Sequence, residues 1–174
     1  MRERFQSVVG SDVLVGVGDD AAVLAGSLDN IALSIDSAVE GVHFERSFGS
    51  LRAIGARAFS AAISDLAAMA ARPLAAVISL NLPRHDGGRI AMELYEGLLP
   101  LAERYHLAIA GGDTNSWDGP LVISVTALGE VTADGPLCRR GAQPGDRIIV
   151  TGSFGGSILG RHLQVEPRIE EALL

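Results

Sequence analysis

Apolar residues recur every three or four positions in two long segments of the chain. One segment runs from Leu51 towards Arg72 and the other from Arg89 to about His106. This spacing places apolar side chains on one face of a helix, and Ser50 is suited to cap the first helix while Pro73 ends it. The predicted core positions are Leu51, Ile54, Ala58, Ala62, Leu66 and Met69 in the first helix, and Ile90, Leu94, Leu98 and Leu101 or Ala102 in the second. We expect Gly55 and the alanines of the first helix to let a sheet approach closely.

Shorter apolar runs predict strands between and around these helices. From Leu121 to Val131, apolar residues alternate with Ser124 and Thr126, which is typical of a half-buried antiparallel strand. The mostly apolar run from Leu74 to Leu82 predicts a buried strand that Pro83 closes. The other predicted strands are the approach from Asp12 to Val17, Ile31 to Ile35 ending at Asp36, Leu107 to Ala110, and Arg147 to Thr151.

Composition and charge narrow the class of protein. The chain has 174 residues, enough for one substantial core or for a domain and the start of another. Its formal charge of −7, from 14 basic and 21 acidic residues, argues against non-specific binding to nucleic acid or anionic membranes. Cys138 is the single cysteine, which excludes an internal disulfide. The charged N-terminal residues lead into no signal-type apolar segment, so we expect a cytoplasmic protein.

Several aspartates end or follow apolar runs, where strands or helices would deliver them to one place. The candidates are Asp20, Asp36, Asp65 and Asp113. Mg²⁺ binds such oxygens, usually through one or two carboxylates completed by water and phosphate oxygens. The plainer alternatives are a solvated turn at the Asp19-Asp20 pair and an ion pair between Asp65 and Arg72.

Two other segments are suited to a nucleotide phosphate. The glycines of Gly111-Gly112-Asp113-Thr114 expose backbone N–H donors and allow a close approach, although the tetrapeptide would also serve as a plain turn. An arginine of the Arg139-Arg140 pair could donate two hydrogen bonds to phosphate oxygens. The plainer alternative is that both side chains are solvated at the surface. The dinucleotide-type pattern Gly16-x-Gly18-x-x-Ala21 is rejected because its variable positions are aspartates and no long helix follows. The glycine-rich run from Gly152 to Ser157 lacks the lysine of a Walker A loop.

Six motifs occur in one order across roughly the whole chain. They are Gly18-Asp19-Asp20-Ala21-Ala22, Ser34-Ile35-Asp36, Glu40-Gly41-Val42-His43-Phe44, Ser64-Asp65-Leu66-Ala67-Ala68-Met69, Gly111-Gly112-Asp113-Thr114 and Arg140-Gly141-Ala142-Gln143-Pro144-Gly145-Asp146. In order and spacing the set resembles the thiamine-monophosphate kinase family, whose superfamily includes aminoimidazole ribonucleotide synthetase, selenophosphate synthetase and a hydrogenase maturation protein. The set is far more specific than any one motif.

The resemblance implies an α+β fold of the ferredoxin-like, aminoimidazole ribonucleotide synthetase N-terminal type. In that fold a mixed, mostly antiparallel sheet is covered by helices on one face and dimerises through the sheet. The implied reaction transfers the ATP γ-phosphoryl group to thiamine monophosphate with the help of several Mg²⁺ ions, and no residue acts as a nucleophile or as an acid or base. The implied metal ligands are Asp20, Ser34, Asp36, Asp65 and Asp113. The implied ATP contacts are Gly112, Asp113 and Arg139, and the implied substrate contact is His43, a residue that taken alone is ordinarily structural or exposed.

The chain departs from the family in sequence and in length. Ile35 stands where the family has threonine, and Asn115-Ser116-Trp117-Asp118 replaces the usual Thr-Arg-Gly. We expect residues 1–150 to form the domain that binds ATP and Mg²⁺ and residues 151–174 to begin a second domain, as in a truncated chain, a fragment or a reduced homologue. Such a chain is expected to be a homodimer that binds Mg²⁺-ATP and turns over thiamine monophosphate poorly. The alternatives are another ATP-dependent synthetase of the superfamily and a non-catalytic, dimeric nucleotide-binding module.

Overall fold

The computed structural model describes residues 13–15, 21–24 and 30–150, and these form a six-stranded sheet with two helices. The strands are β1 (Val13–Val15), β2 (Ala22–Leu24), β3 (Ile31–Val39), β4 (Ala71–Pro83), β5 (Ala108–Trp117) and β6 (Val122–Val131). The helices are α1 (Leu51–Ala68) and α2 (Gly87–Arg104). The order across the sheet is β1-β2-β3-β6-β4-β5, and all neighbours are antiparallel except the parallel pair β4 and β5.

Both helices cover the same face of this sheet. Helix α1 packs on β3, β6 and β4, and α2 packs on β4, β5 and α1. Along β6 every second residue is buried beneath the helices and the others are half-buried, as the alternation in the sequence predicts. The predicted mixed, mostly antiparallel sheet with helices on one face is therefore confirmed. From β3 onward the element order is βαβαββ, a rearrangement of the βαββαβ order of the ferredoxin-like motif.

The two predicted helices form, and their core positions are as expected. Ser50 caps α1, because its side-chain oxygen accepts a hydrogen bond from the Ala53 N–H at 3.2 Å. The predicted end of α1 is too late by several residues. The helix stops at Ala68 because Ala70 takes a left-handed backbone conformation with φ of 53°, and Ala71 already starts β4. Neither helix is long and apolar enough to span a membrane within the described part of the chain.

The expectation for Gly55 is corrected by the packing of α1 against α2. A Cβ atom at Gly55 would lie 2.2 Å from the carbonyl oxygen of Leu94, so this glycine admits the second helix and not the sheet. The contact is reciprocal, because a Cβ at Gly97 would lie 1.9 Å from the carbonyl oxygen of Arg52. The two glycines thus let the helix backbones approach more closely than any side chain would allow.

Three strand predictions also differ from the structure. Strand β3 continues through Asp36 to Val39, so Asp36 lies within a strand and not at its end. Strand β5 continues from Ala108 through the Gly111-Gly112-Asp113-Thr114 segment to Trp117, because its backbone pairs with β4 over its length. Residues 147–150 form no strand, and Thr151 lies outside the described residues.

The chain divides into two compact units, Met1–Gly141 and Ala142–Leu174. The sheet and both helices belong to the first unit. Of the second unit the structure describes residues 142–150, among which Ile148 and Ile149 are 96% and 84% exposed. That residues 151–174 begin a further domain stays a prediction, because they lie outside the described part.

Candidate functional site

A cavity of about 90 Å³ lies between β3, the turn that follows it and α1. Four of its lining residues have polar side chains, and they are Asp36, Ser37, His43 and Arg57. The Ser37 hydroxyl is already hydrogen-bonded to that of Ser124, so the ionisable groups are those of the other three. Its apolar lining includes Phe44 and Ile54, both buried in the core. The cavity thus brings together one predicted metal ligand and the predicted substrate contact, which are seven positions apart in the sequence.

Ser34 and Asp65 meet on the same side of the sheet. The Ser34 hydroxyl, on a residue that is 6% exposed, donates a hydrogen bond of 2.5 Å to Asp65 Oδ2. Ser34 and Asp36 are two positions apart on β3 and share a face, so the Asp65 carboxylate lies on the face that carries Asp36. The alternative partner for Asp65 is wrong, since Arg72 pairs with Glu130 instead. Three of the predicted ligands therefore lie on the helix-covered face.

His43 lies in a tight turn whose backbone fixes the ring. The His43 N–H donates to the Val39 carbonyl oxygen at 2.8 Å, and the Val39 N–H donates to His43 Nδ1 at 3.1 Å. Because Nδ1 accepts a hydrogen bond, the proton of the neutral ring lies on Nε2. The side chain is exposed and lines the cavity, so Nε2–H is available to donate to a ligand.

Glu40 holds this turn against the rest of the sheet. Its carboxylate accepts hydrogen bonds from Arg46 Nε at 2.5 Å and from the Leu121 N–H at 3.0 Å, and its own N–H donates to the Leu121 carbonyl oxygen at 2.9 Å. Burial raises the pKa of Glu40, but the hydrogen bonds from Arg46 and Leu121 outweigh it and leave that pKa below its ordinary value. The ionised form of Glu40 is therefore the one that keeps the His43 turn in place.

Asp113 lies on the other face of the sheet. Register places Gly112 opposite Ile78 and Asp113 opposite Ser79, and Ile78 is buried under the helices. Asp113 therefore lies on the open face, where its Oδ2 accepts a hydrogen bond of 2.7 Å from Asn115 Nδ2. A Cβ at Gly112 would lie 1.9 Å from the Ile78 carbonyl oxygen, so the tight approach to β4 itself requires glycine there.

The other positions singled out in the sequence are Asp20, Arg139 and Ile35. Asp20 lies outside the described residues. Arg139 is exposed beyond the end of β6 and has an interaction partner. Ile35 is 68% exposed on the open face, away from Ser34 and Asp36, so its missing hydroxyl is not part of the Ser34 and Asp65 pair.

The carboxylates of the described residues do not form a closed metal site. Within residues 13–15, 21–24 and 30–150, no three His, Cys, Asp or Glu side chains lie close enough together to hold an ion. Mg²⁺ needs only one or two protein carboxylates, with water and phosphate oxygens completing its shell. Asp36 and Asp65 lie on the same side of the sheet and supply the one or two carboxylates that such an open site needs, and a closed protein cage is absent from this part of the chain.

Two residues of the site were not predicted from the sequence. Glu40 fixes the His43 turn to Leu121, and Arg57 lines the cavity. Arg57 has no acid three or four residues away on either side, but neither has Arg52, which pairs with Glu96 of the other helix, so this pattern alone does not identify a lining residue. A helical arginine with no acid at those spacings lacks only a partner on its own helix. Glu40 gave no signal either, since its partner Leu121 is 81 residues away in the sequence.

The fold and this arrangement of residues define a class of protein. Residues 18–131 match the family described as AIR synthase related protein, N-terminal domain. This match covers well over half of the chain, which belongs to that family.

Within that class the chain is similar to thiamine-monophosphate kinases. It is 46% identical over 168 residues to the thiamine-monophosphate kinase of Rhodopirellula baltica, an alignment that covers 92% of this chain and 52% of the relative. It is 38% identical over 158 residues to that of Bacillus subtilis, covering 90% and 48%. A solved structure, AaThiL complexed with AMPPCP and TMP, superposes with a TM-score of 0.70 at 30% identity and covers 82% of this chain and 43% of that one. The chain thus spans about half the length of the curated relatives it matches.

Proposed function

We propose that this chain is the ATP- and Mg²⁺-binding half of a thiamine-monophosphate kinase, which transfers the γ-phosphoryl group of ATP to the phosphate of thiamine monophosphate. The observation that carries the proposal is the cavity that joins Asp36 to His43 beside the Ser34 and Asp65 pair. The similarity to named kinases and to a structure holding AMPPCP and TMP supports it.

Each residue of the site has a proposed role. Asp36, Asp65 and Ser34 hold Mg²⁺ on the helix-covered face together with Asp20, whereas Asp113, on the open face, holds a separate ion and contacts ATP with Gly112 and Arg139. Bound Mg²⁺ supplies charge neutralisation of the phosphate groups, which is most of what phosphoryl transfer requires from its site. Ser34 orients Asp65 by donating its hydroxyl proton to one carboxylate oxygen, which leaves the other oxygen for a cation. The chain needs no nucleophilic residue for this reaction.

His43 is the proposed contact to the acceptor substrate. Its turn is fixed by two hydrogen bonds to Val39, so the ring keeps one orientation without a ligand. An imidazole with its proton on Nε2 donates one hydrogen bond, and a phosphate oxygen is a strong acceptor. Fixing this donor in advance reduces the entropy lost when a ligand binds.

We also propose that the chain is a homodimer that associates through the open face of its sheet. On that face Ile35 is 68% exposed, Val77 is 39% exposed, and both lie opposite Thr126 in the register. Trp117 at the edge strand is 42% exposed. An apolar row on an uncovered sheet favours association with a second copy.

Binding of thiamine monophosphate tests the proposed function most simply, because the chain spans about half the length of its relatives and turnover is expected to be poor. Calorimetry with Mg²⁺ and AMPPCP present compares the unaltered chain with His43→Ala. We expect the substitution to weaken binding roughly tenfold, the loss of one hydrogen bond to a charged group. His85→Ala is the matched control, since His85 is exposed and does not line the cavity. Absence of binding by the unaltered chain, or equal binding by His43→Ala, would contradict the proposal.

A further inference from the structure

Arg57 differs from the other arginines of the described helices and strands in having no partner. Arg52, Arg72 and Arg89 each pair with a carboxylate. Arg104 lies over the ring of Tyr105 at 5.5 Å from its centroid. Arg57 makes no hydrogen bond, ion pair or ring contact with the described residues, although it lines the cavity with Asp36. An exposed guanidinium that is free of partners yet directed to a cavity is available for a ligand.

The charges around the cavity indicate which ligand that is. Arg57 contributes a positive charge, His43 contributes an Nε2–H donor, and Asp36 contributes a negative charge on the opposite wall. A bare anion would be repelled by Asp36 unless a cation stood between them. A phosphate group is complementary to all three side chains. Some of its oxygens can face a cation bound at Asp36, while others accept hydrogen bonds from the Arg57 guanidinium and from His43 Nε2–H.

The size of the cavity limits how much of a ligand it takes. Its volume of about 90 Å³ is well below the roughly 300–1,000 Å³ of sites that enclose whole small molecules. The buried side chains of Phe44, Ile54 and Ala58 close its inner side. The cavity therefore has room for the phosphate end of a ligand, with the rest of the molecule outside it.

From this arrangement we infer that Arg57 is a phosphate-contacting residue, which binds the monoester phosphate of the acceptor substrate across the cavity from Asp36. The inference rests on the proposed function for the identity of the substrate, and on the cavity alone for the phosphate. It assigns Arg57 a part in distinguishing thiamine monophosphate from unphosphorylated thiamine.

The test measures three ligands separately in the presence of Mg²⁺: inorganic phosphate, thiamine monophosphate and thiamine. Arg57→Gln is expected to weaken phosphate and thiamine monophosphate roughly 10- to 100-fold, the usual range for losing hydrogen bonds from a charged donor, and to leave thiamine unchanged. Arg57→Lys keeps the charge without the fork and should recover part of the loss. Arg52→Gln is the matched control, since Arg52 lies on the same helix, pairs with Glu96 and does not line the cavity. Thermal unfolding should be unchanged in Arg57→Gln, because the side chain has no partner to lose.

The outcomes separate this inference from the proposed function. If Arg57→Gln loses affinity for inorganic phosphate while the unaltered chain binds neither thiamine monophosphate nor thiamine, the phosphate contact at Arg57 stands and the proposed function fails. If Arg57→Gln binds phosphate and thiamine monophosphate as the unaltered chain does, the inference is overturned whether or not the kinase assignment holds. If the unaltered chain binds neither inorganic phosphate nor thiamine monophosphate, both are overturned.

Discussion

Replacing Gly97 by alanine should separate the two helices and destabilise the fold. The added Cβ would lie 1.9 Å from the carbonyl oxygen of Arg52 and 2.6 Å from its carbonyl carbon, both backbone atoms that cannot rotate away. Relief of that overlap requires the helix axes to move apart by more than about 1 Å, and a gap of 0.5–1 Å already loses a quarter to a half of the dispersion energy of each contact. Overpacking of this kind costs roughly 1–3 kcal/mol. Alanine returns about 1 kcal/mol through its better helix propensity.

Because the overlapping atoms of Arg52 are backbone, the overpacking cost is taken from the upper end of its range, about 3 kcal/mol. Subtracting the gain in helix propensity of about 1 kcal/mol leaves an expected net loss of about 2 kcal/mol in the free energy of unfolding. For a chain of this size such a loss lowers Tm by roughly 4–8 °C. Calorimetric or circular-dichroism melting measures it directly. Gly88→Ala, on the same helix with nothing within 4 Å of its Cβ position, is the control and should leave Tm unchanged or slightly raised. A Gly97→Ala variant that melts at or above the unaltered chain would refute the close crossing of α1 and α2.

Three further predictions follow from the site and the sheet. Glu40→Gln should lower the free energy of unfolding at pH 7 by roughly 1 kcal/mol. Because folding lowers the pKa of Glu40, the stabilisation is present above the ordinary pKa of glutamate and is lost as the pH falls through the lowered pKa. Urea denaturation of the two chains should therefore give the same stability below roughly pH 4. A constant gap across that pH range would show that the carboxylate is not what holds the His43 turn. Asp113→Asn should weaken Mg²⁺-ATP at least about tenfold while preserving the fold, since asparagine can still accept the hydrogen bond from Asn115, and unchanged calorimetric affinity would remove Asp113 from the site. Sedimentation at micromolar concentration should give a dimer that Ile35→Glu dissociates, whereas a monomeric unaltered chain would count against association through the open face.

The helices were predictable because their signal is local. A period of three to four residues, read within a window of about 18 residues, fixes which side chains of α1 and α2 are buried. What those buried faces contact is not local, which explains why the partner of Gly55 was predicted as the sheet and is in fact α2. The alternation along β6 likewise identified its buried face, but not that β3 and β4 are its neighbours.

The position of Asp113 shows how little of a site's geometry is written in the sequence. The pairing of β4 with β5 shifts between Ala76 and Val77, leaving Ala110 as an extra residue in β5. Had the register of Ala76 with Ile109 continued, Asp113 would lie opposite Leu80, which is buried under the helices. The bulge instead sets it opposite Ser79 and moves its side chain to the open face. The adjacent glycines Gly111 and Gly112 are typical of an irregular strand, and Gly111 has a φ of 151° next to the bulge. They do not predict that the extra residue is Ala110, which decides the face on which Asp113 lies.

Calorimetric titration of ATP into the chain, with Mg²⁺ and separately with EDTA, tests the proposed function most directly. The ATP phosphates would meet the negative charges of Asp36 and Asp65 unless a cation lies between them, so affinity should depend strongly on Mg²⁺. We predict binding with Mg²⁺ that is at least about tenfold tighter than with EDTA, a difference of about 1.4 kcal/mol. Equal affinity under the two conditions, or no binding in either, would contradict the assignment of this site to Mg²⁺-ATP.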